Sequence, residues 1–115
     1  PGETRAHMLE TAETLARMGI DGLKLHLLYV IAGTPLERLY RQGAYRCLEQ
    51  QAYVELVCDF LERTPWRVVI QRLTGDPHSR ELVAPTWSLQ KAETLARVQQ
   101  ALARRGSRQG RLACC

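Results

Sequence analysis

Two short runs of strand-forming residues, far apart and separated by helical sequence, constrain this chain more than any other feature. Leu23-Lys24-Leu25-His26-Leu27-Leu28-Tyr29-Val30 and Arg67-Val68-Val69-Ile70-Gln71-Arg72-Leu73 read as strands, and the second is β-branched at its centre. The sequence between them carries helical signals, which excludes a hairpin. Strands joined through helical crossovers pair in parallel, with right-handed connections. Parallel sheets normally have both faces covered, and two strands cannot cover themselves. A chain that opens on a helix with no strand before it therefore reads as a segment of a larger α/β assembly.

The helical signals are explicit. Thr4 is placed to cap a first helix whose apolar positions Met8, Leu9, Ala12, Leu15 and Ala16 recur at helical spacing, with Gly19 as the stop. Thr34, Pro35 and Glu37 form the pattern of a capping box with proline at the first helical position, and Gly43 closes that short helix. A longer helix is expected from Glu49 to Arg63, with Tyr53, Leu56, Val57, Phe60 and Leu61 as its apolar stripe and Pro65 preventing continuation. Thr74-Gly75-Asp76-Pro77 ends the second strand in a turn, and residues 78–87 read as loop. The last helix is expected from Ser88 to Arg105, with Ser88 as cap, Leu89, Ala92, Leu95, Ala96, Val98 and Leu102 inward, and Gly106 as stop.

Composition excludes several classes. With 45% hydrophobic and 24% charged residues, the chain is neither disordered nor collagen-like. No apolar run approaches the ~18 residues of a spanning helix, no secretory signal is visible, and reduced thiols in the cytoplasm are the default expectation. The net charge of +4 is unevenly spread. Arg97, Arg104, Arg105, Arg108 and Arg111 all follow Glu93, the last acid, while the first 93 residues hold 11 cations against 12 acids. The basicity belongs to the end of the chain. Such a cluster could meet RNA phosphates, but no aromatic residue interleaves it to offer a stacking platform, and a solvated helix end is the preferred reading.

Within the first strand, Leu23, Leu25 and Leu27 alternate with Lys24, His26 and Leu28. The polar pair fits either a solvated sheet face or the interior of a barrel. Gln71 and Arg72 end the second strand, and alternation turns one of them inward without deciding which. An inward arginine could hold a carboxylate or phosphate in bidentate fashion. Cys58, beside the apolar stripe, reads as a small buried hydrophobe, and Trp87 as a packing anchor against the preceding strand.

Pro1-Gly2-Glu3-Thr4, Gly19-Ile20-Asp21-Gly22-Leu23-Lys24-Leu25-His26-Leu27-Leu28, Gly33-Thr34-Pro35-Leu36 and Tyr53-Val54-Glu55-Leu56-Val57-Cys58-Asp59-Phe60-Leu61-Glu62 follow one another in a distinctive order. Val69-Ile70-Gln71-Arg72-Leu73-Thr74-Gly75-Asp76 and Ala84-Pro85-Thr86-Trp87-Ser88-Leu89 complete the set. In order and spacing they resemble the C-terminal half of the YhcC-type radical S-adenosylmethionine proteins. The resemblance runs from Pro1 to about Gly110.

It implies an α/β fold, a partial (β/α) barrel fragment of two parallel strands with helical crossovers over residues 1–106, followed by a frayed basic tail at 107–115. It also implies a full-length parent that holds a [4Fe-4S] cluster and S-adenosylmethionine and generates a 5′-deoxyadenosyl radical for hydrogen abstraction from an unassigned substrate. Gly2 and Glu3 match the turn that lies near the adenosine of the cofactor. Lys24, His26, Gln71 and Arg72 are the candidates for lining the barrel interior, where ligands bind at the C-terminal strand ends.

The family's Cys-x3-Cys-x2-Cys motif does not occur in this sequence. Cys47 and Cys58 are eleven residues apart, and Cys114-Cys115 offers no three-thiolate set. No cofactor is therefore expected on the fragment alone, and no catalytic or metal-ligating residue is assigned. Its expected partners are the remaining half of the barrel and, through the uncovered sheet, a second copy of itself. Two other readings stand beside this one: a basic RNA-binding module, and a small protein-association domain.

Overall fold

The structure, a computed structural model, describes residues 4–25, 28–74 and 80–113. The elements run in the order α1 (Arg5–Met18), β1 (Gly22–Lys24), β2 (Val30–Ile31), α2 (Pro35–Arg41), α3 (Gln50–Glu62), β3 (Val69–Arg72), β4 (Leu82–Ala84), a 3-10 turn (Thr86–Leu89) and α4 (Lys91–Arg105). β1 and β3 pair in parallel, with Gly22 opposite Val69 and Leu23 opposite Ile70. That is the direction helical crossovers require.

Local chemistry sets most of the boundaries. Thr4 Oγ1 accepts the His7 amide while His7 Nδ1 accepts the Thr4 amide, so histidine takes the place usually held by Glu or Gln in a capping box. Gly19 then ends α1 in the left-handed conformation. At α2, Thr34 Oγ1 accepts the Glu37 amide as expected. The Glu37 carboxylate reaches one residue further back than the simple box, to the Gly33 amide at 3.0 Å, and its other oxygen receives Arg41 at 2.8 Å.

α3 is the centre of the molecule. Its Val54, Val57, Cys58 and Leu61 pack with Val98 and Ala101 of α4, and Leu25, Ile70 and Leu73 close over that cluster. On its other side Phe60 joins Ala12 of α1, Leu23 of β1 and Val68. A helix buried on both sides has little room for polar residues, yet Asp59 and Glu62 are buried within it. Their partners are arginines from other elements.

Three expectations are corrected. The first strand was read as continuous from Leu23 to Val30, but the parallel segment ends at Lys24, and Val30–Ile31 leaves to form an antiparallel ribbon with Leu82–Ala84 inside the stretch read as loop. The last helix starts at Lys91 rather than after Ser88, because residues 86–89 close into a tighter turn and Gln90 becomes the cap. The buried positions of α4 are accordingly Thr94, Val98 and Ala101, while Leu89 is exposed. Thr94 tolerates burial because its hydroxyl bonds the Gln90 carbonyl and accepts from Gln50 Nε2.

The third correction concerns the segment after Gly106, expected to be frayed. Through Ala113 it folds back along the end of α3. The Gly110 amide donates to the Leu61 carbonyl, the Leu112 amide donates to that of Glu62, and Gln109 Nε2 donates to the carbonyls of Pro65 and Val68. These bonds satisfy acceptors that a helix end leaves without an intrahelical partner. Cys114 and Cys115 lie outside the described residues.

The whole remains open. Its radius of gyration is 15.0 Å with extents of 43 × 26 × 22 Å, against about 13 Å for a compact domain of this length.

Candidate functional site

The parallel pair has one face covered by helices and one face bare. Leu23, Leu25 and Ile70 point toward α1 and α3 and join the two clusters of the core. Lys24, Val69, Gln71 and Arg72 are exposed. The alternation read from the first strand holds across residues 22–25: leucines toward the helices, lysine away.

The second strand does not alternate. Lys24 pairs with Arg72, so the ladder skips Gln71 between the Leu23–Ile70 and Lys24–Arg72 partners. This is a β-bulge, in which one extra residue faces a single partner and locally re-aims the side chains. Ile70 and Leu73, three apart, can both pack on the core, and the two residues between them both stand on the bare side. Alternation alone assigned only one of Gln71 and Arg72 to that side. The structure assigns both.

Gly22 shapes the same surface. A Cβ at this position would lie 2.8 Å from Gln71 Nε2, so the carboxamide rests directly against the glycine backbone. Lys24, Gln71 and Arg72 thus form one polar set across two strands. Gly2, Glu3 and His26, the other candidates, lie outside the described residues, as do Asp76 and His78.

The chain beyond β3 is anchored by aromatic contacts. Tyr53 Oη donates to the Leu73 carbonyl at 2.6 Å, and its ring lies 5.5 Å from that of Trp87 at an angle of 42°. Trp87 Nε1 in turn donates to the Leu48 carbonyl at 3.0 Å. Trp87 is thus an anchor against α3 rather than against the preceding strand. Burial holds the Tyr53 phenol well above its ordinary range, so it acts as a hydrogen-bond donor and not as an acid.

The arginine-rich end is not one basic surface. Arg105 turns inward to the carboxylates of Glu55, Asp59 and Glu62, the last two at 3.0 and 3.1 Å. Burial opposes the charge on Arg105, but its bonds to Glu55 and Asp59 outweigh that and fix it as a cation; the Arg105 bond in turn holds the Glu55 carboxyl below its usual range. Arg5 closes on Asp59 at 2.7 Å, Arg111 stands 3.8 Å from Glu62, and Arg97 pairs with Glu93 at 3.1 Å. Arg104 and Arg108 are exposed. The network escaped the sequence reading, although acids at positions 55, 59 and 62 within an apolar helix were its signal.

The thiols do not fit an iron–sulfur cluster. Cys58 is fully buried, its Sγ 3.7 Å from the Val98 carbonyl, and burial raises its pKa from 9.0 to about 11. Burial likewise raises the Cys47 thiol. A cluster ligand must be a thiolate, which is the form these surroundings disfavour. Among the described residues no group of three or more His, Cys, Asp or Glu could hold a metal ion, and no helix is long and apolar enough to cross a membrane.

The architecture defines the class first: an open α/β segment, a parallel strand pair with helical crossovers and one uncovered polar face, as in part of a (β/α) barrel. The comparisons then give the family. Residues 20–104 match the family described as Radical_SAM C-terminal domain, and the chain belongs to it. It is 40% identical over 111 residues to the uncharacterized protein YtqA of Bacillus subtilis, covering 96% of this chain and 34% of that protein. The same figures hold for the uncharacterized protein MJ0486 of Methanocaldococcus jannaschii. Protein YhcC of Escherichia coli is 30% identical over 87 residues, 76% of this chain and 28% of its own length. The chain spans about a third of the length of these curated relatives.

Proposed function

We propose that this chain serves as the C-terminal part of a radical S-adenosylmethionine enzyme of the cytoplasm, in which a [4Fe-4S] cluster held by another part of the protein cleaves the cofactor for hydrogen abstraction. The observation that carries this reading is the bare face of the parallel pair, with Lys24, Gln71 and Arg72 on it. A small parallel sheet with one open face needs further structure to cover it, and in barrels of this class the inward face at the strand ends is where ligands bind. Family membership supplies the chemical context. The role of this segment is to line the interior with polar groups. His26 and the Gly2-Glu3 turn are assigned to the same interior by the family resemblance. The adjoining N-terminal part of the barrel is the partner.

Anaerobic reconstitution with iron and sulfide tests the reading. The 115-residue chain is expected to take up no stoichiometric cluster, whereas the longer protein takes up one and converts S-adenosylmethionine to 5′-deoxyadenosine. A stoichiometric [4Fe-4S] cluster on the chain alone, or none on the longer protein, would overturn it.

A further inference from the structure

Lys24 and Arg72 are direct register partners on adjacent strands, and both are exposed on the same face. Two like charges placed opposite one another across a sheet oppose pairing. A local arrangement that works against the fold is expected mainly where a site requires it. Neither strand contributes an acid to this face, since β1 is Gly-Leu-Lys and β3 is Val-Ile-Gln-Arg. Arg72 also interacts with another group; what matters here is where its charge stands.

The surroundings hold this pair in place. The bulge turns Gln71 onto the cations' side, and Gly22 admits its carboxamide, whose nitrogen would meet any Cβ there. The result is a guanidinium, an ammonium and an amide N–H donor within one turn-free patch, anchored from beneath by Leu23 and Ile70 in the core. A guanidinium binds planar oxyanions through paired hydrogen bonds, and an ammonium adds a point charge.

The geometry points to an anion-recognition site made by Lys24, Gln71 and Arg72, which takes a carboxylate or phosphate group of the molecule bound in the barrel interior. This deepens the functional reading above and rests on it. Two molecules can supply such a group: the substrate, or the methionine carboxylate of S-adenosylmethionine. Gly22 and Gln71 act as a positioning pair. The glycine leaves space for the amide, and the amide donates beside the two cations.

The test is an NMR titration of the monomeric 115-residue chain with pyrophosphate, citrate and S-adenosylmethionine, at constant ionic strength. Saturable amide shifts centred on Lys24, Gln71 and Arg72 are expected with pyrophosphate or citrate if the substrate carries the anion, and with S-adenosylmethionine if the cofactor does. Lys24→Gln is expected to weaken binding about tenfold, and adding Arg72→Gln about tenfold again, each the loss of a charged hydrogen bond. Gly22→Val, which displaces Gln71 without touching either cation, should weaken it less. Arg38→Gln, on α2, should leave it unchanged. Absence of shifts at these three residues with all three probes, or equal affinity in the Lys24→Gln/Arg72→Gln variant, would overturn the proposal. So would a loss in Arg38→Gln matching that in Lys24→Gln, which would mean binding to overall charge. Cluster assembly on the longer protein is read separately, so either result can fail while the other stands.

Discussion

Arg105 is the residue on which the most elements depend. It stands between Glu55, Asp59 and Glu62 of α3, and the last two carboxylates are nearly out of reach of solvent, with side chains 11% and 7% exposed. Removing one partner from a buried ion pair leaves charge without compensation, which is worse than never having had the pair. Arg105→Ala is therefore expected to destabilise the chain by about 3 kcal/mol, read as a shift in the urea midpoint. A change below experimental error would show that Arg5, Ser107 and Arg111 suffice. Cys58 gives a second, independent residue-scale check. Burial raises its thiol from 9.0 to about 11, so the folded state retains a proton that the unfolded chain releases. The stabilisation from this group is complete below pH 9 and is lost as the pH climbs toward 11. Stability measured from pH 8 to 11 should fall, and Cys58→Ala should flatten that part of the curve. The burial of Cys58 was legible from its place beside Val57, Phe60 and Leu61. The destination of Arg105 was not, because charge counting along the chain carries no information about which side of a helix a long side chain takes.

At the scale of elements, capped helices were readable and short strands were not. Thr4, Gly19, Thr34, Pro35, Pro65 and Gly106 each punctuate the chain through their own stereochemistry, and α1, α2 and α3 fall where those residues put them. β2 and β4 are two and three residues long. So few residues cannot express an alternating pattern, and pairing partners fifty residues apart decide their state. The bulge was invisible for a related reason: a skipped residue is a property of the ladder, and only Ile70 and Leu73 both being apolar hinted at it. The strap after Gly106 is the element most open to test. Gly110 has φ of +85°, and a Cβ there would also come within 3.0 Å of the Trp66 amide nitrogen and 3.3 Å of the Thr64 carbonyl oxygen. Gly110→Ala is expected to detach residues 108–113 from the end of α3 and cost more than the ~1 kcal/mol of an ordinary glycine replacement at an incompatible φ. Hydrogen exchange at the Gly110 and Leu112 amides should accelerate while exchange in the middle of α3 does not. Unchanged protection at both amides would contradict the strap.

For the whole molecule, the direction of the two main strands decided the account. The spacing between them, filled by helical sequence, required a crossover, and the parallel pair follows from that requirement. What spacing could not give was the antiparallel ribbon, or the fact that the leucine-rich first strand spends only its first residues in the parallel sheet. The polar face of that sheet is the part of the candidate site the structure describes, and its meaning depends on what covers it. α3 binds α1, α4 and the strand pair into one core, so the helical side is complete while the other side and the strand edges are open. That asymmetry is the central claim. It is tested most directly by amide hydrogen exchange at Gly22–Lys24 and Val69–Arg72, compared between the 115-residue chain and the longer protein that contains it. The account predicts fast exchange at the outward-directed amides in the short chain and strong protection of the same amides in the longer one. Equal, strong protection in both would mean that this chain closes its own sheet, and would contradict it.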